Sequence, residues 1–114
     1  MAADCIFCKI AAKEIDSDIV YESDYVVAFP DINPQAPVHV LIIPKKHVAN
    51  LSAIGADDRD LLYEVGEAVK KLAHQYQLED GYRLVTNCGA DGGQTVNHLH
   101  FHLLGGRKLS WPPG

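Results

Sequence analysis

The sequence predicts an α+β chain built on an antiparallel sheet, and three observations carry that expectation. Short β-prone runs outnumber helical ones, a single long stretch keeps helical spacing, and most connections are short enough for antiparallel neighbours. The most informative run is His98-Leu99-His100-Phe101-His102-Leu103-Leu104. Side chains in an extended strand switch faces at each residue. Three imidazoles therefore share one face at about 6.6 Å intervals, while Leu99, Phe101 and Leu103 share the other. A slip of one residue would exchange the faces, so burial of the apolar one fixes the register. Strict alternation is expected to keep every imidazole out of the core.

The elements follow in order. Asp4 is placed to cap a short helix over Cys5 to Ala12, which puts Cys5 and Cys8 on one face. Val20 to Glu22 and Tyr25 to Phe29 read as a hairpin around Ser23-Asp24. Pro30 to Pro37 holds three prolines and reads as a loop. Val38 to Ile43 is a β-prone run ended by Pro44. Asp57 to Gln77 is the clearest helix, with Leu61, Leu62, Val65, Val69, Leu72, Ala73 and Tyr76 as its apolar stripe. Tyr82 to Asn87 returns to strand, Cys88 to Gln94 is a glycine-containing loop, and Val96 to Leu104 is the histidine strand. Gly105-Gly106-Arg107 breaks it, and 105–114 forms a tail ending in Trp111-Pro112-Pro113-Gly114.

At 114 residues, 47% hydrophobic and 22% charged, the chain is expected to form a single domain, 1–114, with a core that needs no disulfide staples. A formal net charge of −5 argues against general nucleic-acid binding, because no basic stripe offsets phosphate charge. No apolar run is long enough to span a bilayer. Met1-Ala2-Ala3-Asp4-Cys5 lacks the regions of a signal peptide, so a cytoplasmic home is the expectation.

Four features carry chemistry. Imidazoles near their reference pKa of about 6.5 serve as nucleophiles, acid–base groups or metal ligands at neutral pH. The loop Asn87 to Thr95 precedes the histidine strand. Gly92-Gly93 would let its backbone approach an anion, and Thr95 adds a hydroxyl. Cys5-x-x-Cys8 reads as a metal site, a redox pair or two separate thiols. Two imidazoles would complete a tetrahedral zinc site, with His39, His47, His98, His100 and His102 as candidates. His47, after Pro44-Lys45-Lys46, stands at a strand exit and reads equally as ligand or solvated residue. His74 sits mid-helix near the edge of the apolar stripe and reads as an ordinary helix residue rather than a ligand.

With these residues in view, the chain resembles the histidine triad (HIT) superfamily, in its Hint branch of purine nucleoside phosphoramidases. The histidine–apolar signature falls at His98 to Leu104. Further matches are Cys5-Ile6-Phe7-Cys8-Lys9-Ile10, Phe29-Pro30-Asp31-Ile32, Pro34-Gln35-Ala36-Pro37, Ile43-Pro44-Lys45-Lys46-His47, Asp91-Gly92-Gly93-Gln94 and Leu104-Gly105-Gly106-Arg107. The ending Trp111 to Gly114 is typical of that branch.

The resemblance implies a HIT-like fold: a five-stranded antiparallel sheet with one long and one short helix, joined with a second copy into a homodimer whose sheet has ten strands. It implies hydrolysis of purine nucleoside phosphoramidates, and of related aminoacyl adenylates, through a nucleotidyl-histidine. By this match His100 is the nucleophile, His102 contacts phosphate oxygens, and His98, Thr95 and His39 complete the catalytic group. Asp31 and Ile32 line the ribose and base pocket. Asn87, Gly93, Gln94 and Thr95 surround the phosphate and leaving group, and Trp111 reaches the partner's site. Relatives with the cysteine pair bind structural zinc at positions matching Cys5, Cys8, His47 and His98, while relatives without it still work, so catalysis needs no metal. Thr95 stands where serine is common, and Asn97 where an aromatic residue is common. The competing expectations are a dinucleoside polyphosphate hydrolase, a nucleotide-binding regulatory module and a zinc-dependent scaffold. No nucleic-acid or membrane partner is expected.

Overall fold

The computed structural model describes residues 4–114. The reading of Met1 to Ala3 as part of a leaderless start lies outside the described residues. Strands β1 (Tyr21–Glu22), β2 (Val26–Pro30), β3 (Val38–Pro44), β4 (Tyr82–Val85) and β5 (Phe101–Gly105) form an antiparallel sheet in the order β1-β2-β3-β5-β4. A short helix, α1 (Ile6–Ala11), and a long one, α2 (Arg59–Gln75), complete the α+β fold. None of the described helices is long and apolar enough to cross a membrane.

The Ser23 hydroxyl accepts hydrogen bonds from the N–H groups of Tyr25 and Val26, both at 3.2 Å, and tightens the first hairpin. Pro30 pairs with Val40, so β2 runs one residue further than expected, and Pro44 likewise belongs to β3. Proline is tolerated at a strand end, where a missing N–H interrupts no ladder. Cys5, not Asp4, caps α1: its sulfur accepts from the Cys8 N–H at 3.3 Å. A 3-10 turn over Ala56–Asp58 precedes α2. There Asp58 accepts from the Gly55 N–H at 2.9 Å and pairs with Lys46 at 2.7 Å. The buried stripe of α2 is Leu61, Val65, Ala68, Val69 and Leu72. Leu62 is exposed and Ala68 takes its place against the sheet.

The sheet is covered on both faces. Val26, Ala28, Val40, Ile42, Phe101 and Leu103 pack with Leu61, Val65, Val69 and Leu72 of α2. Val27, Phe29, Leu41 and Ile43 pack with Phe7 and Ile10 of α1. The period of two along β2, β3 and β5 sorts these sets.

Two expectations for the histidine segment need correction. β5 begins at Phe101, not Val96, and β4 ends at Val85, not Asn87. Residues 96–100 are held by isolated bonds, including Leu99 N–H to Val48 C=O at 2.6 Å and the Thr86 hydroxyl to His100 C=O at 2.8 Å. The alternation of sides survives, since Leu99 joins the α2-side core while Phe7 of α1 packs on His98 and His100. Nor does alternation keep the imidazoles out of the interior. His98, His100 and His39 are 0%, 5% and 7% exposed, the first two under Phe7 of α1 and His39 among Asp31, Gln35 and His102.

Candidate active site and metal centre

Two clusters of donor groups lie on the α1 face of the sheet. In the first, Cys5 and Cys8 come from the start of α1, His47 from the exit of β3, and His98 from the segment leading into β5. Cys5 Sγ lies 3.3 Å from His98 Nδ1, Cys8 Sγ lies 3.1 Å from His47 Nδ1 and 3.5 Å from His98 Nδ1, and the two Nδ1 atoms are 3.1 Å apart. All four donors fall within 4.8 Å of one another. Donors around a tetrahedral zinc stand about 3.3–3.8 Å apart, given Zn–N and Zn–S bonds of about 2.0–2.3 Å.

The tautomer of His98 fits as well. Its Nε2 lies 2.9 Å from the Pro44 carbonyl, which can only accept, so the proton sits on Nε2 and Nδ1 turns a lone pair toward the sulfurs. Burial, first, holds His98 below the usual imidazole value, which keeps that lone pair free. Burial and the neighbouring Cys5 push the Cys8 thiol up to about 11, and a cation among these donors is what would draw it to thiolate. A closed Cys₂His₂ set is the donor set of structural zinc. Of the five histidines that spacing left open, the fold selects His47 and His98.

The second cluster is Asp31, His39 and His102, with His100 beside it. His39 and His102 are diagonal neighbours on β3 and β5, since Leu41 faces His102 in the register. The Gln35 N–H donates to His39 Nδ1 at 3.0 Å, so His39 carries its proton on Nε2. That Nε2–H donates to His102 Nδ1 at 2.9 Å, with Asp31 Oδ2 at 3.4 Å. His102 must then carry its own proton on Nε2, a buried atom with no partner among the described residues. Burial, as the largest cause, holds both rings below the ordinary imidazole value, while Asp31 pulls the other way. The same tautomers argue against a metal among Asp31, His39 and His102, although their donor atoms lie within 4.8 Å of one another. The nitrogen of His39 that would face an ion holds a proton fixed by the Gln35 N–H.

His100 is oriented independently. Its Nδ1 lies 2.7 Å from the His98 carbonyl and donates to it, leaving Nε2 with the lone pair. Its ring stands 5.1 Å from that of His102, centroid to centroid. A ring with an unshared lone pair therefore stands next to a ring with a buried, unpartnered N–H donor, a pair of groups that suits attack on an electrophile bearing anionic oxygens.

The glycine loop differs from expectation. The N–H groups of Gly93 and Gln94 bond within the turn, to Ala90 C=O at 3.0 Å and Gly89 C=O at 3.1 Å, so neither is turned toward an anion. The Gln94 side chain braces the loop, accepting from the Gly89 N–H and donating to the carbonyls of Ala49 and Val96. Asn87 is half-buried and Thr95 exposed at the loop's two ends. Asp31 Oδ1 accepts from the Asn33 N–H at 2.8 Å, which fixes the turn carrying the fully exposed Ile32. Trp111 is 81% exposed, and no described residue covers it. Arg83 holds the neighbouring Ser110 carbonyl at 2.9 Å. A cleft of ≈ 750 Å³ lies between Gln77–Arg83 and Gly106–Leu109, and none of the histidines lines it.

Sequence reasoning missed the roles of Phe7, Thr86 and the Gln35 N–H. Phe7 lies between the two cysteines and was legible as an apolar residue only. The Gln35 N–H carries no signature, because every residue but proline has one.

The model of the HIT domain family matches residues 12–109. A 14 kDa zinc-binding protein of Zea mays is 51% identical over 111 residues, covering 96% of this chain and 87% of that one. A HIT family hydrolase of Legionella pneumophila superposes with a TM-score of 0.94 at 53% identity, over 97% of this chain and 100% of that one. A histidine triad nucleotide-binding protein of Candida albicans superposes with a TM-score of 0.81 at 38% identity, over 97% and 85%.

Proposed function

This chain belongs to the HIT domain family, and from that premise we propose that it is a hydrolase cleaving the P–N bond of purine nucleoside phosphoramidates and related aminoacyl adenylates. The observation that carries the reading is the pairing of His100 with His102. One ring offers an Nε2 lone pair because its Nδ1–H is tied to the His98 carbonyl, and the other offers an Nε2–H with no partner. A nucleophile with an unspent N–H donor on the neighbouring ring suits nucleotidyl transfer to histidine. The Legionella and Candida relatives, named as a hydrolase and a nucleotide-binding protein, support the same direction.

His100 Nε2 attacks phosphorus in line with the P–N bond. As the N–P bond forms, the P–N bond breaks, and the amine departs with a proton relayed by Thr95 or a neighbouring imidazole. His102 Nε2–H stabilises the non-bridging oxygens, in place of the loop N–H groups that are bonded within their own turn. Water then cleaves the nucleotidyl-His100 bond, releasing a nucleoside monophosphate and free imidazole. Asp31 and Ile32 meet the ribose and base, and Asn87, Thr95 and the loop through Gly93 and Gln94 border the leaving group.

Zinc held by Cys5, Cys8, His47 and His98 ties α1 to the segment carrying His100. Four protein donors would leave such an ion no open position, so its contribution would be structural. One domain acting in the cytoplasm as a homodimer, with Trp111 of one copy reaching the other's site, completes the reading.

Intact-mass analysis after mixing with a slowly hydrolysed phosphoramidate tests it. A nucleotidyl adduct mapped to His100 is the expected result, and an adduct elsewhere or none at all overturns the role. Faster turnover of a diadenosine polyphosphate would move the substrate assignment to P–O–P cleavage.

A further inference from the structure

We propose that Phe7 is a positioning residue that holds the His100 ring in its reactive orientation, and that the Cys5, Cys8, His47 and His98 centre aims the nucleophile through it. The inference rests on the reading of His100 as nucleophile. It assigns a task to a side chain that touches neither substrate nor metal.

The bond from His100 Nδ1–H to the His98 carbonyl fixes one nitrogen and leaves the ring free to tilt about that bond. A second constraint is needed to point Nε2. Phe7, 7% exposed, supplies it: its ring meets His100 edge to face, centroids 5.1 Å apart at 73°. His102 bounds His100 at 5.1 Å and 59°. The Phe7 ring also meets His98 at 5.9 Å and 83°, and Phe29 supports it at 5.8 Å. One aromatic ring thus touches both the imidazole in the metal cluster and the imidazole with the free lone pair.

Phe7 is carried by α1, which has six residues and is too short to persist unaided. Two things hold α1 down. One is the packing of Phe7 and Ile10 on the sheet. The other is the sulfur pair that brackets Phe7 in the chain and meets His47 and His98. His98 acts on His100 twice, since its ring belongs to the metal cluster and its carbonyl takes the His100 proton. Loss of the metal would therefore loosen both constraints on His100 without altering any group at the reacting atoms.

The test uses metal-loaded protein and the variants Phe7→Leu and Phe7→Met, with Val65→Ala, in the core on the α2 side of the sheet, as control for lost packing. Val65 belongs to the cluster that does not contain Phe7. The first readout is kcat and KM for a phosphoramidate. The second is the long-range ¹⁵N–¹H imidazole spectrum of the resting protein, which reports the His100 tautomer and ring environment without substrate. Both Phe7 variants are expected to lower kcat on the order of 10–100-fold, the effect of a small misalignment, with KM within about twofold. Their His100 signals should be averaged over orientations while metal content is unchanged, and Val65→Ala should leave both readouts near the parent. Chelated wild-type protein should show the same averaging. Native kcat and an unchanged His100 spectrum in the Phe7 variants overturn the proposal, and so does an equal loss in Val65→Ala. Phe7→Met supplies an unbranched side chain of about leucine's volume that can adapt to the gap, should the leucine variant fail to fold. If neither folds, an unchanged His100 spectrum on chelation overturns it alone. The spectrum needs no turnover, so failure to trap an adduct on His100 would overturn the functional reading and leave this result separate.

Discussion

His100 donates its Nδ1–H to the backbone carbonyl of His98 at 2.7 Å, so the residue that turns its ring to the metal cluster also fixes the tautomer of its neighbour. Because a carbonyl only accepts, the lone pair on His100 must lie on Nε2. Replacing His100 with Ala removes it. Phosphoramidate turnover should fall on the order of 10³-fold or more, with no covalent adduct by intact mass. Near-normal turnover in that variant would remove His100 from the nucleophile role.

His39 sets the donor on its neighbour. Its Nδ1 is occupied by the Gln35 N–H, so its Nε2–H faces His102 and leaves the His102 proton on Nε2. His39→Phe should free the His102 tautomer and weaken its hold on phosphate oxygens. The expected loss is on the order of 10²-fold in kcat/KM, similar to the loss of one oxyanion donor. His39→Gln, which can still donate from its amide, should recover part of it. Equal losses in the two variants would show that the proton on His39 is not what matters.

Much of this arrangement was legible in the sequence because period-two alternation needs only a register. Leu99, Phe101 and Leu103 reach the α2 side as the pattern requires. The burial of His98 and His100 was not legible, since it depends on α1 docking over the same face. The start of β5 at Phe101 depends on where β3 and β4 offer partners, which are distant in the chain. Spacing alone left His47 open and kept five histidines as metal candidates. The choice falls on His47 and His98 because the Pro44 carbonyl orients His98 while the Gln35 N–H closes off His39. Both are backbone groups that leave no trace in residue type. Gln94 was legible as a loop residue near the site, but not as the brace that ties the loop to Ala49 and Val96.

Lowering the pH through the imidazole range should destabilise the fold. Burial holds His39 and His102 below the ordinary imidazole value, whereas in the unfolded chain each returns to about 6.5. The unfolded state therefore takes up protons first as pH falls. The stabilisation is full above pH about 6.5 and is lost below it, through the lowered folded-state values. Denaturant midpoints measured between pH 7.5 and 5 should fall with pH, and a His39→Gln, His102→Gln double variant should flatten that slope. An unchanged slope would place the acid sensitivity elsewhere.

Metal analysis of the purified protein should find about one zinc per chain, the complement of a single closed four-ligand site. A strong chelator, or Cys5→Ser, should lower the melting temperature. A loss of ~1 kcal/mol corresponds to about 4–8 °C for a domain near this size. Burial and Cys5 raise the Cys8 thiol to about 11, so zinc loading must release a proton there, and affinity should weaken as pH falls. Zinc-free protein with an unchanged melting temperature would reduce the four donors to free thiols beside two imidazoles.

Gly92 and Gly66 should respond in opposite directions to the same added methyl group. A Cβ on Gly92 would stand 2.5 Å from the Cys88 carbonyl oxygen and 2.9 Å from the Cys88 nitrogen. Both are backbone atoms at the start of the loop, and Gly92 is held against them by the turn that the Gly93 N–H closes on Ala90. They cannot move aside unless that turn opens, so Gly92→Ala should cost about 1–3 kcal/mol of loop or global stability. The displaced loop leads directly into Thr95, so KM for the phosphoramidate should rise while the His100 adduct still forms. At Gly66, inside α2, an added Cβ meets nothing within 4 Å. Gly66→Ala should therefore stabilise the fold by about 0.5–1 kcal/mol, because alanine loses less backbone freedom in a helix. Thermal melts and KM of the two variants separate the cases, and a Gly92→Ala protein with parental stability and KM would show that the 88–94 turn does not hold the site's edge.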